Sequence, residues 1–135
     1  TFGLSYRETD SAVGAWAMPT TSPVQFEPGP LRQPIARLLA RQPQQMYLTH
    51  FGAVADVPRL AGLLLAQLDA MVALAQRLPP SPERHAQLKA GLQDIAHQQL
   101  QRHGLANPEA GVAGLALDIE LNAQGLGVWL DRETR

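Results

Sequence analysis

Apolar residues change their spacing at Asp56. Beyond it, Leu60, Leu64, Leu68, Met71, Ala75 and Leu78 recur at steps of four and three, the period of one helical face. Asp56 reads as the N-cap of this helix, with Pro58 in the first turn where its missing N–H does no harm. Pro79-Pro80 ends the stripe. Ser81 then reads as the cap of a second helix with Pro82 at its first position, and Leu88, Leu92, Ile95 and Gln99/Leu100 carry its stripe. Arg102, His103 and Gly104 supply cations for the dipole and a glycine for the helix end. Asn107-Pro108 opens a third helical stretch through Val112, Leu115, Ile119, Leu126 and Leu130. Gly125 and Gly127 weaken that stretch by about 1 kcal/mol each relative to alanine. Residues 56–135 are therefore expected to form an antiparallel three-helix unit.

Before Asp56 the pattern is shorter and broken by Pro19, Pro23, Pro28, Pro30, Pro34 and Pro43. Gly14 to Thr20 reads as a short strand, followed by a hydroxyl-rich loop of Thr20, Thr21, Ser22 and Pro23. Leu31 to Arg41 carries Leu31, Ile35, Leu38 and Leu39 at helical spacing, and Gln42-Pro43 stops it. Met46 to Thr49 is a second β-prone run. The expected fold class is α+β and predominantly α. Residues 1–55 form a strand–loop–helix–strand piece, with the helical appendage packed on it as a single structural unit.

Composition narrows the function classes. At 135 residues the chain is long enough for one domain with a core. Formal net charge is −1, with ten Arg and the single Lys89 scattered along the sequence. No global field draws it to nucleic acid or an acidic membrane surface. There is no cysteine, which removes disulfides, zinc thiolates and thiol nucleophiles and is compatible with a cytoplasmic setting. Thr1 to Asp10 lacks the pattern of a secretory signal. Gln67, Asp69, Gln76 and Arg77 interrupt the longest apolar segment, so no membrane span is expected. The start at Thr1 without methionine suggests a processed or excised piece.

Among candidate chemical groups, His50 stands out, because Met46-Tyr47-Leu48-Thr49-His50-Phe51-Gly52 ends a strand on an imidazole. Taken alone it fits either a metal ligand or a hydrogen-bonded loop histidine. His85, His97 and His103 lack the i, i+3 or i, i+4 spacing of paired ligands on a helix and read as structural, His103 as a cation at a helix end. Asp118 and Glu120, two apart, face different ways on a helix. Thr20, Thr21 and Ser22 have no adjacent base, and no nucleophile elbow or phosphate loop occurs.

Three segments in order carry a resemblance. They are Phe2-Gly3-Leu4-Ser5-Tyr6-Arg7-Glu8, then Met18-Pro19-Thr20-Thr21-Ser22-Pro23-Val24-Gln25-Phe26, then the His50 segment. Together with Leu121 to Leu126 and Trp129 to Arg132 they resemble the C-terminal half of bacterial metallo-β-lactamase-fold hydrolases. The resemblance implies that residues 1–55 are the C-terminal part of an αββα sandwich. It also implies that the parent binds two metal ions, commonly zinc, and that His50 matches the last ligand. The bridging aspartate of that family would lie directly before Thr1, and its His-x-His-x-Asp-His motif does not occur in these residues.

The implied activity is metal-assisted hydrolysis of a small-molecule substrate, with Tyr6, Thr20, Thr21, Ser22 and Phe51 as candidate substrate-rim residues. The chain alone is expected to be inactive and to bind no metal tightly. The alternative is a helical interaction or oligomerisation module with a structural His50. Either way self-association into a homo-oligomer is expected, since an unpaired sheet edge and an apolar face would be left exposed.

Overall fold

The computed structural model describes residues 4–20, 28–48 and 52–134. After a short 3-10 turn at Arg7–Thr9 come helix α1 (Pro28–Ala40), strands β1 (Gln45–Leu48) and β2 (Gly52–Ala55), and helix α2 (Val57–Gln76). Helices α3 (Arg84–Arg102), α4 (Pro108–Gly114) and α5 (Ala116–Glu133) complete the chain.

The stripe expected along α2 becomes its buried face, with Leu60, Leu64, Leu68, Met71 and Ala75 nearly inaccessible to solvent. The helix packs in two directions. Val57, Leu60, Ala61 and Leu64 meet Ile35 of α1 and Ala17. Farther along, Leu68, Met71, Leu74 and Ala75 join Leu88, Leu92, Ala96 and Leu100 of α3 and Ile119, Ala123, Leu126 and Trp129 of α5. Burying this apolar area is what holds the helices together, at roughly 25 cal/mol per Å². Helix α2 is long and apolar enough to cross a membrane by length and composition, and here its apolar face fills the bundle core.

Helices α3 and α5 run antiparallel, stitched by Arg84–Asp131 at one end and by Glu120 with Lys89 and His85 farther along. Two close approaches need glycine. A Cβ on Gly91 would lie 2.5 Å from Leu74 Cδ1, and one on Gly111 would lie 2.8 Å from Leu105 Cδ2.

Several expectations are corrected. The described residues contain no part of an αββα sandwich; they are mainly helical. The expected strand–loop–helix–strand piece fails because β1 pairs antiparallel with β2, the next segment in sequence, from Gln45↔Ala55 to Leu48↔Gly52. A hairpin needs only a short connection, whereas a parallel return needs a crossover. Residues 14–20 form no strand: only the isolated bridge Leu4↔Met18 and the bridge Ser11↔Gly14 pair there. The third helical stretch is two helices, broken at buried Leu115, so the unit after residue 56 has four helices.

Helix ends also differ in detail. Asn107 does cap α4, its side chain accepting from the Ala110 N–H at 3.2 Å. Gly104, at φ 84°, closes α3 with bonds from Gly104 N to Gln101 O and from Leu105 N to Leu100 O, the Schellman arrangement. Asp56 makes no cap bond. It sits in the left-handed region, and its carboxylate accepts from Arg59 Nε at 2.6 Å. Helix α3 starts at Arg84 rather than beside Ser81.

Candidate functional site

Residues 4–20 run across the helices as a strap, held by side chains from distant parts of the sequence. Leu4 and Met18 exchange backbone bonds of 3.1 and 3.0 Å, and Ser11 and Gly14 exchange two of 3.0 Å across a tight turn. Gly14 sits at φ 127°, a conformation side chains rarely adopt. Leu4, Trp16, Ala17 and Met18 are buried and seat the strap on the bundle.

An extended segment that pairs with no full strand leaves backbone carbonyls to be satisfied elsewhere. The helices supply the donors. His103 Nε2 donates to the Gly14 carbonyl at 2.9 Å, and Arg59 donates to the Ala15 carbonyl at 2.7 Å. Gln67 donates to the Ala17 carbonyl at 2.7 Å, and Asn122 to the Pro19 carbonyl at 3.1 Å. In return the Ser11 hydroxyl donates to the His103 carbonyl at 2.7 Å. Gln67 and Asn122 are each only 2% exposed, so neither could be left without an acceptor cheaply.

At the other arm of the strap, the Tyr6 hydroxyl donates to Asp118 at 2.9 Å. Burial, reinforced by that carboxylate, pushes the Tyr6 pKa up to about 12, so the phenol stays protonated and acts as a donor. Tyr6, Glu8 and Thr9 face Ala110, Gly111, Gly114 and Leu115 across a cleft of about 380 Å³.

His103 is not the helix-end cation expected. It is 6% exposed, and burial, with Arg59 adding to it, lowers its pKa against the Gly14 bond and Asp10. Protonation here would place a charge in a desolvated setting. His85 and His97 instead meet Glu120 and Glu109 on the surface at 3.0 and 3.2 Å. Asp118 and Glu120 serve different neighbours, Glu120 being held down to about 2 chiefly by its bond from Lys89.

Of the expected site residues, Tyr6 and Thr20 lie on the strap. The antiparallel Leu4↔Met18 bridge sends them in opposite directions along it, Tyr6 toward the turn and Thr20 away. His50, Phe51, Thr21 and Ser22 lie outside the described residues. Among the described residues no three His, Asp or Glu side chains are grouped so as to hold a metal ion.

The residues that grip the strap had one legible signal. Gln67 and Asn122 are polar residues on apolar faces, Gln67 beside Leu64 and Leu68, Asn122 beside Ile119 and Leu126, and such local conflicts often mark a specific partner. Arg59 and Asp118 carried no comparable mark.

No known family, curated protein or solved structure matches the chain.

Proposed function

We propose that this chain is a portion of a metal-dependent hydrolase of the metallo-β-lactamase superfamily, in which His50 binds metal and the other ligands come from residues beyond these 135. The sequence support is the order of the strap, loop and His50 segments. The structural observation that favours it is how the strap, which carries the first of those segments and leads into the second, is immobilised. His103, Arg59, Gln67 and Asn122 fix its carbonyls from Gly14 to Pro19. Segments that border a reaction site need such rigid support, since small misplacements of reacting groups are costly. The bundle is then the scaffold, and Thr20 follows directly on the pinned Pro19.

A bound metal pair would supply Lewis acidity and an activated water. On this reading the 135-residue chain by itself binds no stoichiometric zinc tightly and turns over no ester, lactone or phosphodiester. In the complete polypeptide, His50→Ala should lower bound zinc and reduce hydrolysis by at least the roughly 100-fold that loss of an outer-sphere partner can cause. Unchanged zinc content and turnover in that variant would overturn the reading.

A second reading, a helical interaction module, is favoured by a different feature. Leu117 and Leu121 stand one turn apart on α5 and are 70% and 41% exposed. In light scattering across a concentration series, a strict monomer counts against the module.

A further inference from the structure

We propose that the cleft between the 3-10 turn of the strap and α4 binds a small organic ammonium ion, its charge against Glu8 and its apolar body against Tyr6 and the small residues of α4.

The cleft encloses about 380 Å³, within the size range of sites that hold small molecules. Glu8, Ala110 and Gly114 are exposed, with Gly111 and Leu115 buried beneath them, so a ligand can enter from solvent without rearrangement. The α4 side of the cleft brings no polar side chain to it, and an apolar body that displaces water there gains from burial.

Two glycines of α4 differ in what surrounds them. A Cβ on Gly111 would meet Leu105 and Leu100 at 2.8 and 2.9 Å, whereas one on Gly114 would meet nothing within 4 Å. Core packing accounts for the first glycine. The space that a side chain at position 114 would take is open, and Gly114 lines the cleft.

The sign of the ligand's charge follows from the donors. The Tyr6 hydroxyl donates to Asp118 at 2.9 Å. The Thr9 hydroxyl and the Thr9 N–H both donate to the Tyr6 carbonyl, at 2.7 and 3.1 Å. The N–H groups of Ala110 and Gly111 donate to Asn107, and that of Leu115 donates to the Val112 carbonyl. All of these donors are spent within the chain. What the cleft still offers is the Glu8 carboxylate, which can only accept. Glu8 has no ion-pair partner among the described residues, and no Lys, Arg or His among them lines the cleft.

An anion would therefore meet Glu8, with Asp118 held close by through Tyr6, and no lining donor listed above to receive it. An ammonium group brings both the opposite charge and N–H donors for the carboxylate. A tyrosine ring also attracts a cation that lies over its face. Nothing in this site depends on His50 or on a metal.

The test titrates phenethylammonium into the 135-residue chain at neutral pH, followed by amide NMR shifts. Phenylacetate, of similar shape and opposite charge, is the control. Phenethylammonium should give saturable shifts at Tyr6, Thr9, Gly111 and Gly114, with a Kd of about 10 mM or tighter for a ligand of this size. Phenylacetate should bind at least about tenfold more weakly. Gly114→Leu fills the cleft and should abolish saturable binding. Glu8→Gln should weaken it about threefold to fivefold, what an exposed ion pair is worth. Because Glu8 is exposed and holds no ion pair among the described residues, that variant keeps the fold and decides the matter should Gly114→Leu not fold. Absence of saturation, equal binding of the two probes, or unchanged affinity in either folded variant overturns the proposal.

Discussion

The Tyr6 hydroxyl bonds to Asp118 across 112 residues of sequence, at 2.9 Å, joining the first arm of the strap to the first turn of α5. A tyrosine that donates to a carboxylate gains from a charge-assisted bond, and its own ionisation would set two negative charges against each other. This explains why one pair both anchors the strap and fixes the phenol in its protonated form.

Tyr6→Phe should cost about 1–2 kcal/mol, the range for a bond to a charged partner reduced by partial exposure. The same pair gives a pH signature. The folded pKa of Tyr6 lies above its ordinary 10.0, at about 12, so the proton is held more tightly in the folded state. Its contribution to stability is complete below pH 10 and is lost as pH rises toward 12. Tyrosinate absorbance in the near ultraviolet should show a late step that Tyr6→Phe removes. Its persistence in that variant would assign the late step elsewhere.

Asn122→Ala should loosen the strap while leaving the helices formed. It removes the donor to the Pro19 carbonyl, which is buried with it, and an unsatisfied buried acceptor costs about 1–3 kcal/mol. Helical circular dichroism should be nearly native and protease cleavage within residues 4–20 faster. Loss of the helical signal instead would show that the strap and bundle fold as one cooperative unit.

Gly91→Ala should destabilise the α2–α3 contact by about 1–3 kcal/mol through overpacking. Its new Cβ would lie 2.5 and 2.6 Å from the two Leu74 methyls and 3.1 Å from Leu74 Cγ. Leu74→Ala alone should cost about 2–5 kcal/mol through the cavity it leaves. Because the two changes concern the same space, the double variant should be less destabilised than the sum. Additive losses in a denaturant series would mean that the helices separate rather than interlock at this point.

The helices were legible because their information is local. The α2 stripe, the Asn107 cap and the Gly104 terminus each follow from spacing within one or two turns. Asp56 misled because a left-handed backbone and Arg59 together draw its carboxylate away from the helix start, and neither is visible in a residue preference. The strap was illegible for a physical reason. Its bonds link residues 44 to 112 positions apart, from Arg59–Ala15 to Tyr6–Asp118, and such long-range side-chain bonds leave no period. A β-prone stretch such as Ala15 to Met18 looks the same whether a strand or a set of side chains satisfies it.

Trp16 tests how tightly that strap is seated. It is 1% exposed, lies in the main core with Leu4 and Met18, and its indole N–H is buried with no acceptor among the described residues. Leaving such a donor unpaired costs about 1–3 kcal/mol, while the ring contributes a large apolar area in compensation. Trp16→Phe removes the unpaired N–H together with part of that area, so the two effects oppose each other. The net change should be within about 1 kcal/mol of zero, against about 3–5 kcal/mol for Trp16→Ala, which keeps neither area nor packing. Thermal denaturation of both variants measures the difference. A Trp16→Phe loss as large as that of Trp16→Ala would mean that the indole nitrogen has a bonded partner, such as a buried water, and that this partner is part of what locks the strap down.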